Sequence, residues 1–156
     1  MYVTLCNAII PFYDTQGANM TYTISENGTR ETHPFTAKKF LDNLFSELCL
    51  DPKMLRHWSS RILHSKTQMP IIFRVDQVFI PVKIRTSIGK HDGCFGYILT
   101  SAIASYTDYQ ITLSNGQVLK TLSSASYIGA KLRDAQLLNY AYIDQKSSYD
   151  FMRFGA

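Results

Sequence analysis

Short β-prone runs punctuated by tight-turn signals constrain this chain more than any other feature. Residues 21–24 run into Glu26-Asn27-Gly28, residues 69–75 and 78–82 are divided by Asp76-Gln77, and residues 109–113 turn through Ser114-Asn115-Gly116 into 117–122. Asn-Gly pairs supply the positive-φ positions of two-residue hairpins, so strands that follow one another in sequence are expected to pair antiparallel. The opening stretch, residues 2–13, is apolar and β-prone with Pro11 inside it, and fits one arm of an N-terminal hairpin. A further strand is expected over residues 95–104. Pro81 cannot donate to a ladder, which places the 78–82 strand at a sheet edge or places Pro81 near its end.

Three segments change period. Phe40, Leu41, Leu44, Phe45 and Leu48 recur as the apolar stripe of a helix, with Thr36 as its N-cap. Asp51-Pro52 is an N-cap followed by proline at the first helical position and predicts a helix over 52–64. At 100° per residue, Met54, Leu55, Trp58 and Ile62 share one arc of it, and Lys53, Arg56, His57, Arg61 and His64 share the other. A last helix capped near Ser124 or Ser126 carries Ile128, Leu132, Ala135 and Leu138 or Asn139 along one side. The reading is an α+β single domain: a mixed or antiparallel sheet of β-hairpins packed by about three helices. With 156 residues, 46% of them hydrophobic, the chain can bury a core without disulfides or metals. No apolar run approaches the roughly 20 residues a membrane helix needs, so no membrane partner is expected. The first residues lack a basic region and a long apolar region, which predicts no secretory signal and a cytoplasmic address. Cys6, Cys49 and Cys94 are widely spaced and read as reduced thiols.

Charge is unevenly distributed. Residues 1–50 hold three Lys or Arg against five Asp or Glu (−2), residues 51–100 hold eight against three (+5), and the remainder hold five against four (+1). A basic belt in the middle third fits a polyanion partner or, equally, a solvated surface of one sign. Its candidate contacts are Lys53, Arg56, His57 and Arg61 on the 52–64 helix, then Lys66, and Lys83, Arg85, Thr86, Ser87, Lys90 and His91 in a glycine-bearing polar loop. The helix cations would position the domain on phosphates. Arg85, with Lys83 and Lys90 on either side, stands in a flexible arm suited to following phosphates or entering a groove.

Catalysis finds less support. His91, Asp92 and Cys94 offer a base, an acid and a nucleophile, but catalytic roles need side chains converging from separate elements. His91 and Cys94 have zinc-ligand spacing without a second pair, and Gly89-Lys90 lacks the earlier glycine of a phosphate loop. The chain is therefore expected not to be an enzyme and to need no metal or cofactor.

The order of features from residue 66 onward resembles the ComK family of bacterial competence transcription factors. The residues that carry the likeness are Lys66-Thr67-Gln68-Met69-Pro70-Ile71, the hairpin ending Phe79-Ile80-Pro81-Val82-Lys83, and a polar loop closing on Cys94. Ile111-Thr112-Leu113-Ser114-Asn115-Gly116, and Ser126 leading a helix with Leu132, Arg133 and Gln136, continue it. The match covers about residues 55–143, with Gly96 where the family usually has Trp. It divides the chain into an N-terminal hairpin and helix (1–50), the ComK-like core (51–143) and a C-terminal tail (144–156). The resemblance implies a nucleoid-associated activator of DNA-uptake genes that binds double-stranded A/T-rich boxes through the minor groove as a homo-oligomer, a dimer or tetramer. It also implies contact with RNA polymerase and capture by a protease adaptor, for which Phe151, Met152 and Phe154 of the tail are the similar residues.

Overall fold

The turn signals produce two antiparallel meanders. In the computed structural model, which describes residues 6–154 and their side chains through Lys146, β1 (Ala8–Tyr13), β2 (Asn19–Ile24) and β3 (Arg30–His33) form the first. The second comprises β4 (Ile71–Arg74), β5 (Gln77–Lys83) and β6 (Phe95–Leu99). The two join through β1 and β6 into one six-stranded sheet of order β3-β2-β1-β6-β5-β4. That seam has only two paired positions, Ala8 with Ile98 and Ile9 with Tyr97. A smaller sheet holds β7 (Ile103–Thr107), β8 (Gln110–Leu113) and β9 (Val118–Lys120). Among the described residues every ladder is antiparallel and the α-helices number three, which makes the fold an α+β single domain.

Proline sits where a ladder has stopped. The β4 ladder covers only Gln77, Val78 and Phe79 of β5, so Pro81 has a strand neighbour on the β6 side alone. Its carbonyl is not left bare: Tyr127 Oη donates to Pro81 O at 3.1 Å. Pro11 is tolerated in β1 the same way, because the β6 ladder ends at Ile9. The expected strand over 95–104 is two strands. A single 3-10 turn, Thr100–Ala102, redirects the chain from the large sheet into the small one.

The caps lie where sequence placed them. α1 (Ala37–Glu47) starts with Lys39 N–H donating to Thr36 Oγ1, and α2 (Pro52–Leu63) with Lys53 and Met54 N–H donating to Asp51 Oδ1. α2 ends on His64, whose left-handed φ of 52° terminates it. Its buried side differs from expectation. Ser59 is the one fully buried residue of α2, Leu55 and Trp58 of the apolar arc pack half-buried against the core, and Met54 at its margin is 67% exposed.

α3 (Ala125–Phe154) runs back alongside β5. At its start Lys83 N–H donates to Ser123 Oγ (3.0 Å) and Leu122 N–H to Lys83 O (2.7 Å). Farther along, Asp76 N–H donates to Asn139 Oδ1 and Asn139 Nδ2 to Asp76 Oδ1, both at 2.8 Å. The 143/144 division is not a structural break, since α3 passes through it. Phe151, Met152 and Phe154 lie in its last turns, with side chains outside the described residues.

The core is mostly aliphatic with a few phenylalanines, and Ile9, Ile24, Phe79, Ile80, Ile98, Ile111, Leu113, Ile128 and Leu138 are among its fully buried residues. Each contributes about 1.5–3 kcal/mol by leaving water. Phe73 links α1 to the sheet, 5.1 Å from the Phe45 ring and 5.7 Å from Phe79. Among the described residues no helix is long and apolar enough to cross a membrane.

Candidate nucleic-acid interface

Helical spacing turns Lys53, Arg56, His57, Arg61 and His64 outward together, and all five are exposed. The arc reaches different neighbours at its two edges. On one side Arg56 borders a cleft of about 490 Å³ between α1, α2 and the segment before β6, where Lys38, Lys66 and His91 also stand. On the other, Arg61 borders a groove between α2 and α3 shared with Trp58, Tyr142 and Lys146. There Trp58 Nε1 donates to Gln145 Oε1 at 2.6 Å and the Trp58 ring meets Tyr142 edge-on. A positive face thus runs from Lys38 on α1 across α2 to Lys146 on α3. Lys38 and Lys146 escaped the sequence reading, which had no signal that α1 and α3 flank α2.

These cations are not matched internally. Among the described residues the one ion pair is Lys131 with Asp134 at 3.9 Å. The cleft floor is apolar, with Leu41, Phe45, Leu55 and Tyr97, and its acids are Asp42 and Asp92. Burial pushes the Tyr97 hydroxyl above its ordinary value, an effect the nearby Arg56 guanidinium partly offsets.

The polar loop between β5 and β6 is built differently from the flexible arm the sequence suggested. Arg85 turns inward. Its Nε donates to Gly93 O (3.0 Å), and one terminal nitrogen donates to Asn19 Oδ1 (2.7 Å) and Asp92 O (3.0 Å). The guanidinium carbon stands 4.1 Å from the centre of the Tyr13 ring, while the other terminal nitrogen is buried without a partner. Tyr13 Oη in turn donates to Asp92 Oδ2 (2.6 Å) and accepts from Ile88 N–H (2.7 Å). Asp92 Oδ2 also accepts from Gly89 N–H (2.8 Å), and Asn19 Nδ2 donates to Asp92 O (3.0 Å). The Tyr13 hydroxyl and the Gly89 N–H hold the Asp92 carboxyl below its ordinary value. Arg85 is thereby a loop anchor, and the residues the loop leaves exposed are Thr86, Ile88, Lys90, His91 and Gly93, with Ser87 half-buried. Lys83 is exposed at the end of β5, outside the cleft.

The structure therefore brings Arg56, Lys66 and His91 to one cleft and keeps Lys53, His57 and Arg61 on the adjoining helix face. Cys94 is half-buried in the same cleft. The Asp92 carboxylate beside it is engaged by Tyr13 and Gly89 through one oxygen. Among the described residues no three His, Cys, Asp or Glu side chains cluster as metal ligands. No family model, no curated protein and no solved structure matches this chain.

Proposed function

We propose that this chain binds double-stranded DNA and acts as a transcription activator of DNA-uptake genes, recognising A/T-rich boxes mainly through the minor groove. The observation that carries DNA binding is the face of exposed cations on α2 and its neighbours, outside any ion pair among the described residues. Exposed cations that neutralise nothing within the fold are available to displace counterions from phosphates. The activator role and the competence target rest on the resemblance to ComK. In this reading Lys53, Arg56, His57, Arg61 and Lys66 contact phosphates. The loop held by Arg85 presents Lys90 and His91 to the groove.

The test is fluorescence anisotropy with A/T-rich and G/C-rich duplexes at two salt concentrations. Affinity is expected to fall roughly 100-fold or more between about 50 and 200 mM salt if several phosphates are neutralised. Arg56→Ala should weaken both duplexes alike and lower the salt slope by about one. A flat salt response overturns the reading in favour of a regulatory module that binds protein.

A further inference from the structure

α3 buries Ile128, Ala135 and Leu138 against the sheets, and its opposite side is not uniformly polar. Leu137 is 50% exposed and Tyr140 61%, and the exposed Arg133 and Asp144 lie one turn beyond them at either end. At 100° per residue the four fall within about 60° of one another, a stripe spaced by four, three and four residues. This spacing is the one with which a helix packs along another helix.

The charges specify which helix. Positions 137 and 140 are symmetric about the midpoint between Leu138 and Asn139, and so are positions 133 and 144. A second copy of α3 laid antiparallel about that midpoint places its Tyr140 on Leu137 and its Asp144 on Arg133, and the two-fold axis repeats both contacts. A parallel copy would instead oppose Arg133 to Arg133 and Asp144 to Asp144. We propose that the Arg133-Leu137-Tyr140-Asp144 stripe is the interface between two copies of this chain, packed antiparallel through α3. The contact is isologous, with one patch serving both subunits. The two ion pairs stand about 16 Å apart along the helix and bracket the apolar centre, as a polar rim does. One helix pair is a small interface, so the association is expected to be weak. The inference supplies a surface for self-association and stands whether or not the chain binds DNA.

Sedimentation velocity of the full chain, without DNA, over a concentration series tests it. Wild type should pass from monomer to dimer. Leu137→Glu should remain monomeric throughout, with its circular dichroism unchanged because the position is exposed. Arg133→Glu and Asp144→Arg should each weaken the dimer about tenfold, since each opposes like charges twice. The double variant Arg133→Glu/Asp144→Arg should recover most of the loss, because the exchange restores opposite charges only in the antiparallel arrangement. A wild-type chain that stays monomeric at several hundred micromolar overturns the proposal. So does a dimer indifferent to Leu137→Glu, or single reversals that the double variant fails to rescue.

Discussion

Arg85→Ala separates a structural role for the loop arginine from a role in reading DNA. The substitution removes three hydrogen bonds, to Gly93 O, Asn19 Oδ1 and Asp92 O, and the stacking of the guanidinium on Tyr13. Each bond contributes about 1 kcal/mol net in a partly buried setting, and the cation–π contact about 0.5–1 kcal/mol. Against this, the variant loses a buried guanidinium nitrogen that has no partner, which returns about 1 kcal/mol. The net loss is about 2–3 kcal/mol of stability, a fall in Tm of roughly 5–10 °C for a chain of this size. Arg85→Lys should recover little, because one ammonium cannot span the acceptors on three residues. Urea denaturation measures the change in midpoint, and anisotropy on A/T-rich and G/C-rich duplexes measures discrimination in the same samples. If Arg85→Ala unfolds at the wild-type urea concentration and loses only its A/T preference, the anchor assignment fails and Arg85 is the groove reader.

Arg61→Ala, on the exposed face of α2, should change stability by less than about 0.5 kcal/mol while weakening DNA of either composition; a large stability loss would place its side chain in the α2–α3 groove as a packing element. Asp92 accepts from Tyr13 and Gly89 and its carboxyl is held below the ordinary 3.8. Its contribution is therefore complete above that value and lost as pH falls through the lower native one, so the stability gap between wild type and Asp92→Asn should close below about pH 4 and stay constant above it. A gap that widened on acidification would contradict the sign. Cys94→Ser should leave DNA affinity within a few-fold at a stability cost on the order of 1–3 kcal/mol if the hydroxyl is unpaired; loss of all function in a folded variant would reveal chemistry at the thiol.

What could be read from the sequence was local. Thr36 and Asp51-Pro52 announce helix starts through bonds spanning two or three residues, and both caps form as expected. Asp76-Gln77 marks the β4–β5 turn because a φ of +62° at Asp76 is a short-range demand. The strand expected over 95–104 divides at Thr100–Ala102, where no glycine or proline signals the change of sheet. β3 is polar and exposed over Arg30, Glu31 and Thr32, so no alternation revealed it. The direction of Arg85 was beyond reach for a different reason. Its Asn19 acceptor is 66 positions away, and Tyr13 reaches Asp92 across 79. Nothing near Arg85 in the sequence distinguishes an anchor from a reader, and only the approach of the β1–β2 hairpin to the loop decides it.

The two-position seam between β1 and β6 has a consequence for the order of folding. Each meander is assembled from neighbours in sequence, whereas pairing Ile9 with Tyr97 closes a loop of roughly 90 residues before any contact there offsets the entropy. The halves are therefore expected to form early and to dock late, with the seam absent from the rate-limiting transition state. Ile9→Val should accelerate unfolding and leave the folding rate nearly unchanged, while Val78→Ala in the β4–β5 hairpin should slow folding. Stopped-flow chevrons for the two variants would show it, and a φ-value near one at Ile9 would mean that the long-range seam nucleates the fold and the hairpins follow.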